Sequence, residues 1–135
     1  MTESKIQTEF SKVCRIPGVF ELKLARGNSL PYKAVADHQI ASLLSVKQTG
    51  FFHKISDSPI FPDMKTRFNS KKPFDCFFLK GYPAYIGICF YVPRKKREVI
   101  LIDIDSFVKC MVEDTRKSIT RDKAESISRH IVELK

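Results

Sequence analysis

The chain has 135 residues, 43% of them hydrophobic, which suffices for one domain (1–135) with its own core and no external staple. It carries 24 Lys and Arg against 15 Asp and Glu, a formal net charge of +9, and this excess favours an anionic partner such as nucleic acid. No apolar run is long enough to cross a membrane, Met1–Lys5 lacks the apolar core of a signal peptide, and the 4 cysteines form no CxxC pair, so the expectation is a soluble cytoplasmic protein with reduced thiols, no structural zinc and no membrane partner.

The first predicted element is a helix over about Glu3–Val13, with Ile6, Phe10 and Val13 as its apolar stripe and Glu9 inside that stripe. Pro17-Gly18 breaks the chain. Val19–Leu24 alternates: Phe20, Leu22 and Leu24 point one way, and Val19, Glu21 and Lys23 the other, as on a strand. A loop over Arg26–Ser29 precedes a second helix, about Ala34–Val46, whose apolar face is Val35, Ala36, Leu43 and Val46 with Gln39 inside it. Phe51–Ile55 reads as a strand, and Ser56–Pro73 as a long basic loop.

Asp75–Leu79 and Tyr85–Val92 are strong strand signals, and Gly81-Tyr82-Pro83 between them predicts a hairpin connection. Arg94–Arg97 is a basic turn, followed by a strand over Val99–Ile104. Two helices close the chain, starting near Ser106 and Arg121. Asp105 or Ser106 is expected to cap the first of them. Thr120 is expected to cap the second, with Ala124, Ile127 and Ile131 on its buried side. The whole reads as α/β, a single domain with a central mixed β-sheet flanked by helices.

Glu21-Leu22-Lys23 carries the chemistry. Alternate strand residues share a face, so the carboxylate and the ammonium stand about 7 Å apart at the Cα level. A carboxylate can hold a hard divalent cation such as Mg²⁺ through oxygen. An ammonium beside it can orient an attacking water and offset charge on a pentacovalent phosphate. The bland reading of the same pair is an exposed ion pair on one strand face.

The stretch Phe20-Glu21-Leu22-Lys23, a polar loop, Leu30-Pro31-Tyr32-Lys33 and then His38-Gln39-Ile40 resembles the PD-(D/E)XK nucleases, most closely the branch of Holliday-junction resolvases and their phage relatives. The close match covers roughly the first third of the chain. The resemblance implies a restriction-endonuclease-like fold and a Mg²⁺-dependent DNA endonuclease, with Mn²⁺ as a substitute. Branched or duplex DNA would be the substrate and a homodimer the working form. It implies Glu21 as metal carboxylate, Lys23 as catalytic lysine, Gln39 as the helix glutamine of the site, and Glu9 as the first-helix carboxylate.

One departure concerns the metal-binding Asp. The family places it on the strand before E-x-K, where Pro17-Gly18-Val19-Phe20 offers no acid. Asp75, opening the run Cys76-Phe77-Phe78-Leu79, has the right strand context, and Asp63 in Phe61-Pro62-Asp63 is the rival. To share one cation with Glu21, the second carboxylate has to lie within about 5 Å of it. Lys33, Lys65, Arg67, Lys71 and Lys72, with Arg94, Lys95, Lys96 and Arg97, are the candidate phosphate contacts. A non-catalytic nucleic-acid-binding module on the same fold is the alternative.

Overall fold

A period-two apolar pattern along Val19–Arg26 and an unbroken apolar run along Ala84–Tyr91 set the centre of the molecule. The computed structural model describes residues 1–48, 51–54, 76–79 and 82–134. Its elements are α1 (Glu3–Val13), β1 (Val19–Arg26), β2 (Ser29–Pro31), a 3-10 turn (Tyr32–Ala34), α2 (Asp37–Gln48), β3 (Phe51–Lys54), β4 (Cys76–Leu79), β5 (Ala84–Tyr91), β6 (Glu98–Asp103), α3 (Ile104–Glu113), β7 (Ser118–Thr120), α4 (Arg121–Ile127) and β8 (His130–Glu133). Asp63, Lys65, Arg67, Lys71, Lys72 and Asp75, with the rest of the expected basic loop, lie outside the described residues.

The main sheet is mixed and four-stranded, in the order β1-β5-β6-β8. β1 runs parallel to β5, with Glu21 opposite Ile86 and Lys23 opposite Ile88. β5–β6 and β6–β8 are antiparallel. Two separate two-stranded ribbons pair β2 with β7 and β3 with β4, both antiparallel. None of the described helices is long and apolar enough to cross a membrane.

The sheet separates two apolar clusters. On one face, Ile6 and Phe10 of α1 pack with Leu22, Tyr85, Cys89, Val99, Leu101 and Leu134. Full burial of side chains like Ile6 and Phe10 is worth about 1.5–3 kcal/mol each, which is what docks α1. On the other face, Ile40 and Leu43 of α2, Ile104, Phe107 and Cys110 of α3, and Ala124 of α4 cover Ile86, Ile88, Phe90, Ile100 and Ile102, with Leu30 and Ile119 of the β2–β7 ribbon closing the cluster. A close approach explains Gly87: a Cβ there would lie 2.6 Å from Leu22 Cδ2 and 2.9 Å from Val99 Cγ1.

Four local expectations are corrected. The hairpin over residues 81–83 is not formed between the two apolar runs: β5 has β1 along one edge and β6 along the other, so no edge is left for Cys76–Leu79, which pairs with β3 instead. The second helix starts at Asp37, after a 3-10 turn, so Val35 is buried ahead of the helix and Ile40 joins Leu43 and Val46 on its inner face. α3 is capped by Asp103, whose side chain accepts from the Asp105 N–H, and not by Asp105 or Ser106. Ile131 does not continue α4: the helix ends at Ile127, the Arg129 N–H donates to the Leu101 carbonyl, and Ile131 lies on β8, exposed. The expected Thr120 cap of α4 is present, with the Thr120 hydroxyl accepting from the Lys123 N–H at 3.2 Å.

Candidate functional site

Alternation along β1 turns Phe20, Leu22 and Leu24 toward α1 and leaves Glu21 and Lys23 on the face covered by α2. β1 is an edge strand of the main sheet, so this charged pair sits at the sheet margin. Lys23 Nζ lies 3.7 Å from Glu21 Oε2, and the Lys23 side chain is only 12% exposed.

Gln39 sits in the first turn of α2. Its Nε2 donates to Glu21 Oε2 at 3.1 Å, and its Oε1 accepts from the Ala36 backbone N–H at 3.0 Å. Ala36 N–H is among the donors that a helix start leaves without an intrahelical acceptor. One amide therefore closes the helix start and fixes the rotamer of the Glu21 carboxylate. Glu21 Oε1 has no hydrogen-bond partner among the described residues. A hard carboxylate oxygen fits a hard divalent cation as one of several oxygen ligands. Among the described residues no cluster of three or more His, Cys, Asp or Glu side chains is placed to hold a metal, and Asp75 and Asp63 lie outside them.

The other expected residues are placed differently. Glu9 belongs to α1, on the opposite face of the sheet from Glu21, and pairs with Arg97: Oε2 accepts from Nη1 at 3.1 Å, and Oε1 lies 2.9 Å from the same nitrogen without hydrogen-bond geometry. Glu9 thus does not join Glu21, Lys23 and Gln39. In the basic turn, Arg97 is committed to Glu9 and Lys96 to Glu133 at 3.3 Å, whereas Arg94 and Lys95 have no carboxylate partner among the described residues. Lys33, in the 3-10 turn just before α2, is exposed and likewise without one.

A second charged cluster gathers the two acids of Asp103-x-Asp105 around one lysine. Lys47, at the end of α2, places Nζ 2.7 Å and 2.8 Å from the Asp103 carboxylate oxygens and 2.6 Å from Asp105 Oδ2. Burial opposes the Lys47 charge, but the bonds to Asp103 and Asp105 outweigh it and raise the ammonium above its ordinary pKa. This clamp ties α2 to the start of α3, 56 residues away for Asp103. Nearby in the same layer, the buried Tyr32 hydroxyl donates to Asp114 Oδ2 at 2.7 Å and lies 3.1 Å from Cys110 Sγ. Burial first, then these two contacts, holds the phenol protonated. Burial likewise pushes the Cys89 thiol up, so it is an inert core residue.

The chain matches no family model, no curated protein and no solved structure.

Proposed function

We propose that the protein is a Mg²⁺-dependent DNA endonuclease of restriction-endonuclease-like fold, hydrolysing phosphodiester bonds in branched or duplex DNA. The single observation that carries this reading is the meeting of Glu21, Lys23 and Gln39 on one face of an edge strand, from two elements. A carboxylate, a lysine with a largely buried side chain beside it and an amide that orients the carboxylate form a set suited to metal-assisted phosphate hydrolysis. An ordinary surface ion pair needs neither the burial of Lys23 nor the amide.

In this reading Glu21 and Asp75 would hold the cation through carboxylate oxygen, with Asp63 as the other candidate for the second position. Mg²⁺, or Mn²⁺ in its place, would supply Lewis-acid polarisation of the phosphate and lower the pKa of the attacking water. Gln39 holds the carboxylate in its ligating rotamer. Lys23 orients the water for in-line attack and offsets the charge that builds on the phosphate. A homodimer working on the two strands of a symmetric substrate completes the reading.

The test is cleavage of labelled duplex and four-way-junction DNA with Mg²⁺ and with EDTA. Metal-dependent cutting is the expected result. DNA binding without cutting in any divalent metal would assign a non-catalytic nucleic-acid-binding module instead.

A further inference from the structure

We propose that the β2–β7 ribbon is the track along which the backbone of a nucleic-acid strand crosses the protein. The inference rests on the nuclease reading for its partner and deepens it by naming the surface. The ribbon pairs Ser29 with Thr120 and Pro31 with Ser118. Leu30 and Ile119 point into the core, so the outer face carries the small side chains of Ser29, Pro31, Ser118 and Thr120 and allows a phosphate backbone to approach closely.

Cations flank both ends. At one end the Tyr32 N–H donates to the Lys117 carbonyl, and Lys33, Arg116 and Lys117 border a cavity of about 620 Å³ that Asp37 and Asp114 also line, Asp114 being paired with Arg116. The same cavity reaches Ala36, the residue whose N–H is held by Gln39. At the other end the Arg121 N–H donates to the Asn28 carbonyl, and Arg121, paired with Glu98, borders a second cavity of about 540 Å³ with Arg94, Lys95 and Lys96.

Lys33, Lys117, Arg94 and Lys95 are exposed and have no carboxylate partner among the described residues, while Arg116, Lys96 and Arg121 at the same two ends are paired with Asp114, Glu133 and Glu98. Arg94 also adopts a left-handed backbone, φ 67°, in a turn where glycine would be unstrained. Three residues of strand cover about 10 Å, the length of about three nucleotides of one strand. The two cationic ends are therefore spaced to hold phosphates on either side of a short segment.

The experiment reads binding in EDTA, apart from chemistry, by anisotropy of a labelled single strand and a labelled duplex across a salt series. Three double variants are compared with wild type: Lys33→Gln with Lys117→Gln, Arg94→Gln with Lys95→Gln, and, as an equal charge loss on α1 across the sheet, Lys5→Gln with Lys12→Gln. Each of the first two is expected to reduce the slope of log affinity against log salt by about 1.8 on duplex and about 1.4 on single strand, and the α1 pair to leave it unchanged. Ser29→Glu, on the outer face of the ribbon, is expected to weaken binding to both DNAs.

Wild-type slopes in both track variants, or an equal drop in the α1 pair, overturn the track, as does a polyglutamate chain competing as well as DNA. Metal-dependent cutting by wild type with unchanged track slopes would remove the track and leave the nuclease reading. Reduced slopes with no cutting by wild type would do the reverse.

Discussion

Replacing Lys23 by Met removes the ammonium while keeping a stem of similar volume, which matters because the side chain is only 12% exposed. The ammonium lies 3.7 Å from the Glu21 carboxylate. A full unit charge at that distance in an effective dielectric of about 20 interacts by about 4.5 kcal/mol. If the phosphate gains only half a charge in the transition state at a comparable distance, the differential is about 2 kcal/mol, or about 40-fold in rate. Loss of a preorganised donor in a dry site typically costs about 100- to 1000-fold, so the expected fall in single-turnover cleavage is about 100-fold. DNA affinity, measured by mobility shift with Ca²⁺ in place of Mg²⁺, should stay close to wild type, because the interaction strengthens only as the phosphate gains charge. Cleavage by Lys23→Met at near wild-type rate would refute the role of Glu21-x-Lys23 in catalysis.

Glu21→Gln should also abolish cutting, but through the cation, so raising Mg²⁺ or Mn²⁺ restores part of the rate; a metal titration of single-turnover rates checks this. Gln39→Leu releases the Glu21 carboxylate and the Ala36 N–H together; we expect the Mg²⁺ needed for half-maximal cleavage to rise about tenfold, and an unchanged requirement would remove Gln39 from the site. Lys47→Met leaves Asp103, a buried carboxylate, without its cation and should destabilise by about 1–3 kcal/mol, less than a fully buried pair because Lys47 is 30% exposed. Since the folded Lys47 pKa is raised, its stabilisation is complete below the ordinary lysine value near 10.5 and lost as pH rises through the folded value. Denaturant midpoints of wild type and Lys47→Met should therefore differ at neutral pH and converge only in strong alkali. Gly87→Val forces side-chain atoms into Leu22 and Val99 and should cost about 2 kcal/mol or more, read as a lowered denaturant midpoint with the m-value kept.

The sequence by itself determined what depends on neighbours within one or two turns. The bounds of α1 and the alternation of β1 follow from periods of 3.6 and 2, and those periods place Glu21 and Lys23 on one face whatever the rest of the chain does. Thr120 was legible as a cap because its partner is three residues away. What tertiary structure decided are the choices among equivalent local options. Cys76–Leu79 and Ala84–Tyr91 suit a hairpin, but the long apolar strand is paired along both edges by β1 and β6. Ile131 continues the spacing of α4, but its backbone pairs with β6. Glu9 shares the stripe of α1, and that stripe faces the side of the sheet away from Glu21, where Arg97 meets it across 88 residues of chain. The contact of Gln39 with Glu21 and the cations bordering the β2–β7 ribbon come from segments far apart in the chain. Periodicity reports which side of an element is apolar; only packing decides which element that side meets.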